Sequence, residues 1–104
     1  MSEIEIPFRQ DMLELIAVGR KVCTSRNKRY GFAGDCFEFD WLDNHFELEL
    51  TMTERKTLSY VATFLHDAEG FDTPREFINI WNEIHPKKKF DPKQKVWVHW
   101  FEAV

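Results

Sequence analysis

The sequence predicts an α+β fold: a small, partly closed β-barrel of about five or six strands with about three short helices at its mouth. Three observations carry this. Several runs alternate apolar and polar residues at the strand period, most cleanly Cys36–Trp41, Phe46–Met52 and Lys95–Phe101. Other stretches repeat their apolar residues at helical spacing, and one of them begins with Thr73-Pro74-Arg75-Glu76, a capping box with proline at the first helical position. Strands and helices do not follow one another in a regular βαβ alternation, which argues against a doubly wound parallel sheet.

Taken in order, Ile4-Glu5-Ile6 reads as a short edge strand that Pro7 stops. Phe8, Met12, Leu15 and Ile16 give one apolar helical face over residues 8–18, and Gly19 stands where a left-handed, helix-ending residue belongs. Val22–Arg26 is the next strand, and Asn27–Gly34 is a loop rich in Lys, Arg and Gly. In Cys36–Trp41, Phe37, Phe39 and Trp41 share one face. Asp43-Asn44 marks a turn, and Phe46, Leu48, Leu50 and Met52 alternate along a second strand reaching about Leu58, so the two form a hairpin. Ser59 caps a helix over Tyr60–Glu69 with Val61, Phe64, Leu65 and Ala68 inward, ended by Gly70. The helix after Thr73 buries Phe77, Ile80, Trp81 and Ile84 and is closed by Pro86. Lys87-Lys88-Lys89 is a solvated turn, and Lys95–Phe101 is heavy on both faces, as a central strand is.

The 104 residues suffice for one domain, residues 1–104, with a core that needs no staples. With 43% hydrophobic and 15% aromatic residues, disorder is excluded. A net charge of −4 argues against nonspecific coating of duplex DNA but leaves room for a small basic groove that holds one nucleotide or a loop of RNA. Two cysteines make no disulfide framework, and neither a signal peptide nor a membrane-length apolar run is visible, so a reduced, cytoplasmic protein with no membrane partner and no cofactor is expected, with a monomer favoured. Cys23, Cys36, His45, His66, His85 and His99 lack zinc-type spacing, so no metal site is expected.

Gly19–Arg26 is where a site is expected. Arg20, Lys21 and Arg26 crowd around the hydroxyl of Thr24 with no carboxylate among them, and Lys28 and Arg29 follow in the loop. Thr24 and Arg26, two apart, share a strand face. Lys21, three from Thr24, converges with it only from a turn before the strand. A solvated surface cluster is the plainer reading of such a run. Cys23 lies near three cations but has no partner base. Trp41, Trp97 and Trp100 are open to base stacking or to core packing.

The succession Gly-x-Lys-x-x-Thr-x-Arg (Gly19 to Arg26), Gly34-Asp35 before a strand, Glu69-Gly70-Phe71, a capped helix ending in Pro86 and a final Val-x-Val-x-x-Phe strand resembles the ASCH domain, a β-barrel relative of the PUA RNA-binding domains. The resemblance runs from Phe8 to Phe101 and implies a PUA-like barrel whose cleft, lined by Lys21, Thr24, Arg26 and Glu69, binds RNA or a modified nucleoside. Arg20, Lys28 and Arg29 are expected to add to that binding from the basic run, and Lys28 and Arg29 are not things the motif predicts. Small ASCH proteins of about this length include N4-acetylcytidine amidohydrolases, and that likeness implies Lys21, Thr24 and Glu69 as a catalytic set releasing cytidine and acetate. Ser25 departs from the pattern, which usually has a β-branched apolar residue there.

In such chemistry Thr24 is the nucleophile, Lys21 the base that takes its proton, Glu69 the donor to the leaving nitrogen, and Arg26 the group that stabilises an oxyanion or holds a phosphate. A binding module would use the same residues without turnover. A partner-binding scaffold would instead show a broad exposed aromatic patch.

Overall fold

In the computed structural model, which describes residues 2–104, the chain runs through α1 (Gln10–Ala17), β1 (Cys23–Arg26), β2 (Cys36–Trp41) and β3 (Asn44–Thr57). It continues through α2 (Leu58–Tyr60, extended by a π-helical turn over Val61–Leu65), α3 (Pro74–Ile84) and β4 (Lys95–Ala103). The strands make one antiparallel sheet in the order β1-β4-β3-β2, curled into an open half-barrel. The α+β, PUA-like architecture expected from the sequence is present, with three helices.

The strand count is lower than the five or six expected: the described residues hold four. Ile4-Glu5-Ile6 contributes no strand. The segment meets the sheet in one parallel bridge, Glu3 to Cys36, where the Cys36 N–H donates to the Ser2 carbonyl and the Ile4 N–H to the Cys36 carbonyl, and Pro7, with no N–H to donate, follows. β3 is one continuous strand of 14 residues that pairs with β2 and then with β4. Its register shifts between Leu50 and Met52, a bulge that sharpens the curl. β4 lies between β1 and β3, which explains its two apolar faces: Val96 and Val98 are buried on one side, His99 and Phe101 on the other.

Two local assignments shift. The β2–β3 turn is Leu42-Asp43, because Trp41 pairs with Asn44. Leu42 adopts φ 56°, unusual for a branched residue. α2 is capped by Thr57 rather than Ser59: Thr57 Oγ1 accepts from the Tyr60 N–H at 3.2 Å. The wider π turn then changes the phase of the buried stripe, so Val61 and Ala62 face inward while Phe64 is 68% exposed. α3 matches its start signal, with Thr73 Oγ1 accepting from the Glu76 N–H, but only Phe77 and Trp81 of its expected stripe are buried: Ile80 is partly buried and Ile84, in the last turn at the cavity wall, is exposed.

The interior has two parts. Leu58, Val61, Phe71, Phe77 and Trp81 pack on Cys23, Val96 and Val98, placing α2 and α3 over one sheet face. Ile6, Phe37, Leu48, Leu50 and Phe101 fill the other. α1 joins them: Met12 enters the first and Ile16 the second, with Phe8 against both. This leaves a gap bounded by the start of α1, the free edge of β1 and the inner face of α3.

Candidate functional site

Two glycines set the site's geometry. Gly19 ends α1 in the left-handed region (φ 78°), which lets the N–H groups of Arg20 and Lys21 both return to the Leu15 carbonyl. Gly70 also has positive φ (106°), and a Cβ there would stand 3.0 Å from Leu15 Cδ1 and 3.4 Å from Lys21 Cβ. Only glycine allows this approach, which brings Glu69 beside Lys21. The Ala68 carbonyl accepts from the Val22 and Cys23 N–H groups, tying the segment to the start of β1.

Lys21, Thr24, Ser25 and Glu69 are all buried. Lys21 Nζ donates to Glu69 Oε1 at 2.8 Å and to the Glu69 carbonyl at 3.2 Å. Ser25 Oγ donates to the other carboxylate oxygen, Oε2, at 2.5 Å. Both oxygens of Glu69 are thereby engaged. Thr24 stands apart from this cluster: its Oγ1 accepts from Arg26 Nε at 3.2 Å. The guanidinium of Arg26 lies 4.8 Å from the Phe8 ring centre and 5.9 Å from that of Tyr30. Burial lowers the pKa of Arg26, and the Tyr30 and Glu69 charges act against that shift.

These residues line a cavity of about 660 Å³. Pro7, Phe8, Arg9 and Met12 form one wall; Ile80, Trp81, Ile84 and His85 of the α3 side form the opposite one. Lys21, Ser25, Glu69, Phe71 and Phe77 close its inner part, and Thr24, Arg26, Asn27, Lys28 and Tyr30 complete it. The indole Nε1 of buried Trp81 has no hydrogen-bond partner.

His99, fully buried behind β1, positions the loop. Its Nε2 accepts from the Tyr30 N–H at 3.0 Å, which leaves Nδ1 to donate to the Thr24 carbonyl at 3.2 Å. The ring is therefore neutral, and burial lowers its pKa. Asp35 braces the far end of the same loop, accepting from the Phe32 and Ser2 N–H groups.

Of the residues singled out in the sequence, Lys21, Thr24, Arg26, Lys28 and Glu69 all line the cavity. Arg20 and Arg29 do not. Arg20 pairs with Asp72 at the surface, and Arg29 is packed against Phe32 and Trp97. Trp41, Trp97 and Trp100 also lie outside it; the aromatic walls are Phe8, Tyr30, Phe71, Phe77 and Trp81. Burial pushes the Cys23 thiol far up, away from nucleophilic thiolate chemistry. Both cysteines are free. The contribution of Ser25 was visible only as a departure from the motif. Its contact with Glu69, 44 residues along the chain, depends on the Gly70 turn.

One cluster outside the cavity has cation-ligand geometry. On the β2–β3 hairpin, Glu38, His45 and Glu47 offer ligand atoms within 4.8 Å of one another. All three are exposed, and His45 Nδ1 is bonded to Asp40 at 2.7 Å. Among the described residues no helix is long and apolar enough to cross a membrane.

No family model matches the chain, and no curated protein does. Solved structures do. Protein EF3133 from Enterococcus faecalis V583, of the DUF984 family, aligns over 99% of this chain and 78% of its own with a TM-score of 0.67 at 20% identity. An ASCH domain from Lactobacillus crispatus JV V101 aligns over 98% and 78% with a TM-score of 0.65 at 13% identity. The hypothetical protein PH0355 aligns over the full length of both chains with a TM-score of 0.68 at 16% identity. The superposition over nearly the whole of this chain, at TM-scores of 0.65 to 0.68, gives the fold: this chain has the ASCH-domain fold.

Proposed function

We propose that the cavity binds a nucleoside, modified or carried in RNA. The observation that supports this best is the pairing of aromatic walls with a buried polar end in one cavity of about 660 Å³, a size typical of single small-molecule sites. Phe8, Tyr30 and Trp81 offer faces and edges to a planar base. Opposite them, Lys21, Ser25 and Glu69 form a connected set of donors and acceptors. The free edge of β1 adds to it. The Cys23 N–H points away from β4, to Ala68, and strand alternation aims the N–H and C=O of Ser25 the same way. A base edge that presents one donor and one acceptor complements that pair.

A second reading, hydrolysis of N4-acetylcytidine, draws support from the contact between Lys21 and Glu69 beside two hydroxyls. A lysine base must be unprotonated when it takes the threonine proton, whereas here Lys21 Nζ donates to Glu69 and the Thr24 hydroxyl is held by Arg26. Turnover through Thr24 therefore requires Lys21 Nζ to move from Glu69 toward Thr24. This makes binding the preferred reading.

The deciding experiment incubates the protein with N4-acetylcytidine and follows cytidine release, alongside Thr24→Ala and Lys21→Met, while calorimetry measures nucleoside and oligoribonucleotide binding. Binding without turnover, weakened in Arg26→Ala, is the expected result. Turnover lost in both variants would establish the amidohydrolase. Neither binding nor turnover would overturn both readings.

A further inference from the structure

The cavity's charges are not balanced. Glu69 is its one lining carboxylate among the described residues, and it is already engaged by Lys21 and Ser25. Arg9, at the rim, is paired with Asp11 at 2.9 Å and faces Glu83 at 3.8 Å. Arg26 and Lys28 form no ion pair among the described residues. Arg26 is half-buried against Phe8, whereas Lys28 is exposed at the mouth, its Nζ 4.7 Å from the Tyr30 ring centre. A guanidinium partly withdrawn from water, whose nearest carboxylate is the Glu69 already engaged by Lys21 and Ser25, is stabilised by a ligand that supplies a counter-charge. The cation–π contacts keep its N–H fork in place but do not neutralise it.

We propose that the ligand is a nucleoside monophosphate whose terminal phosphate is held by Arg26 and Lys28, with the base between the aromatic walls. This rests on the nucleoside-binding reading above and narrows it. A half-buried guanidinium and an exposed ammonium at the cavity mouth, neither in an ion pair, match the nearly dianionic charge of a terminal phosphate near neutral pH, where an internal phosphodiester carries one charge. The guanidinium fork donates to two phosphate oxygens, and Lys28 adds a point charge. A neutral nucleoside would leave both cations unpaired beside it.

The test titrates the four ribonucleosides, their 5′-monophosphates, inorganic phosphate and a hexacytidylate without terminal phosphate into the protein. It is repeated with Arg26→Gln and Arg26→Lys, each checked by thermal melting. One monophosphate should bind about tenfold or more tightly than its nucleoside, the effect of one charged hydrogen-bonded contact. The gap should shrink with added salt, collapse in Arg26→Gln and partly return in Arg26→Lys. Equal affinity for nucleoside and monophosphate overturns the proposal while nucleoside binding stands. Binding of the hexanucleotide as tight as that of the monophosphate overturns it in favour of an RNA strand. A gap that survives in Arg26→Gln removes Arg26 from the phosphate site. If no nucleoside, nucleotide or oligonucleotide binds, the underlying reading fails too. The wild-type comparison decides the need for an anion even if a variant does not fold.

Discussion

Arg20 and Lys21 are neighbours in sequence, both cations and both paired to a carboxylate, yet their environments are opposite. Arg20 reaches Asp72 across the surface, with side chains 40% and 71% exposed. Lys21 reaches Glu69 inside the cavity, where both are almost fully buried. Water screens the first pair and can replace either partner. In the second, each charge is the other's main solvation, and Ser25 and the Glu69 carbonyl complete the shell. Identical chemistry thus yields a surface ornament in one case and an organising element of the site in the other. The difference arises where Gly19 ends α1 and turns the two side chains to opposite sides.

The comparison breaks most severely at Glu69. Glu69→Leu leaves Lys21 buried without its counter-charge and should destabilise the fold by about 3–5 kcal/mol, read from urea unfolding. The double variant Lys21→Met with Glu69→Leu should recover most of that loss, because no stranded charge remains. A single variant close to wild type would show that water already reaches Lys21, and the contrast with Arg20 would disappear.

Ser25→Ala is expected to be milder. It removes the 2.5 Å hydrogen bond to Glu69 Oε2 but keeps the ion pair, a loss of about 1.5–3 kcal/mol for a bond to a charged group. An unchanged urea midpoint would mean that the carboxylate finds another donor in the cavity.

His99 sharpens the comparison with a third solution, burial as a neutral ring. Burial lowers its folded pKa below the ordinary 6.5, so the unfolded chain takes up the proton first. Its contribution is complete above about pH 6.5 and is lost progressively as pH falls toward the lowered folded value. His45, raised by its bond to Asp40, tilts the opposite way, so the relevant quantity is a difference. Melting temperatures of wild type and His99→Gln between pH 7.5 and pH 5 should converge on acidification. Parallel curves would show that His99 does not titrate with folding.

Much of this arrangement was legible in the chain. The α1 stripe, Gly19, the Thr73-Pro74 start and the β2–β3 alternation are local signals, and the local structure follows them. The strand run itself pointed to Lys21, Thr24 and Arg26; that Glu69 joins them around one cavity was legible only through the resemblance to the ASCH domain, not through any local signal. Parity along β1 says which residues share a face but not which face meets α3 and the cavity. Likewise, alternation along β2 and β4 could not say which face of Trp41, Trp97 and Trp100 meets the cavity, and a loop residue such as Arg29 has no parity at all. The exposure of Phe64 follows from a π turn, which no periodicity count anticipates. Ser25 is the most instructive case. Beside a glutamate 44 residues away it becomes a hydroxyl donor, and nothing within the strand announces that.

The smallest expected effect belongs to the other half of the comparison. Arg20→Ala removes an ion pair that lies in water, where Coulomb attraction is weak, salt screens it, and holding two long side chains together opposes the gain. The melting temperature should match wild type within error at physiological ionic strength, with any difference fading further as salt is added. Nucleotide binding should also be unchanged, because Arg20 does not line the cavity. A clear loss of affinity in Arg20→Ala would show that the basic run acts as one field rather than residue by residue. Ligand capture would then begin at the surface, and the division between the two neighbouring cations would hold for stability but not for binding.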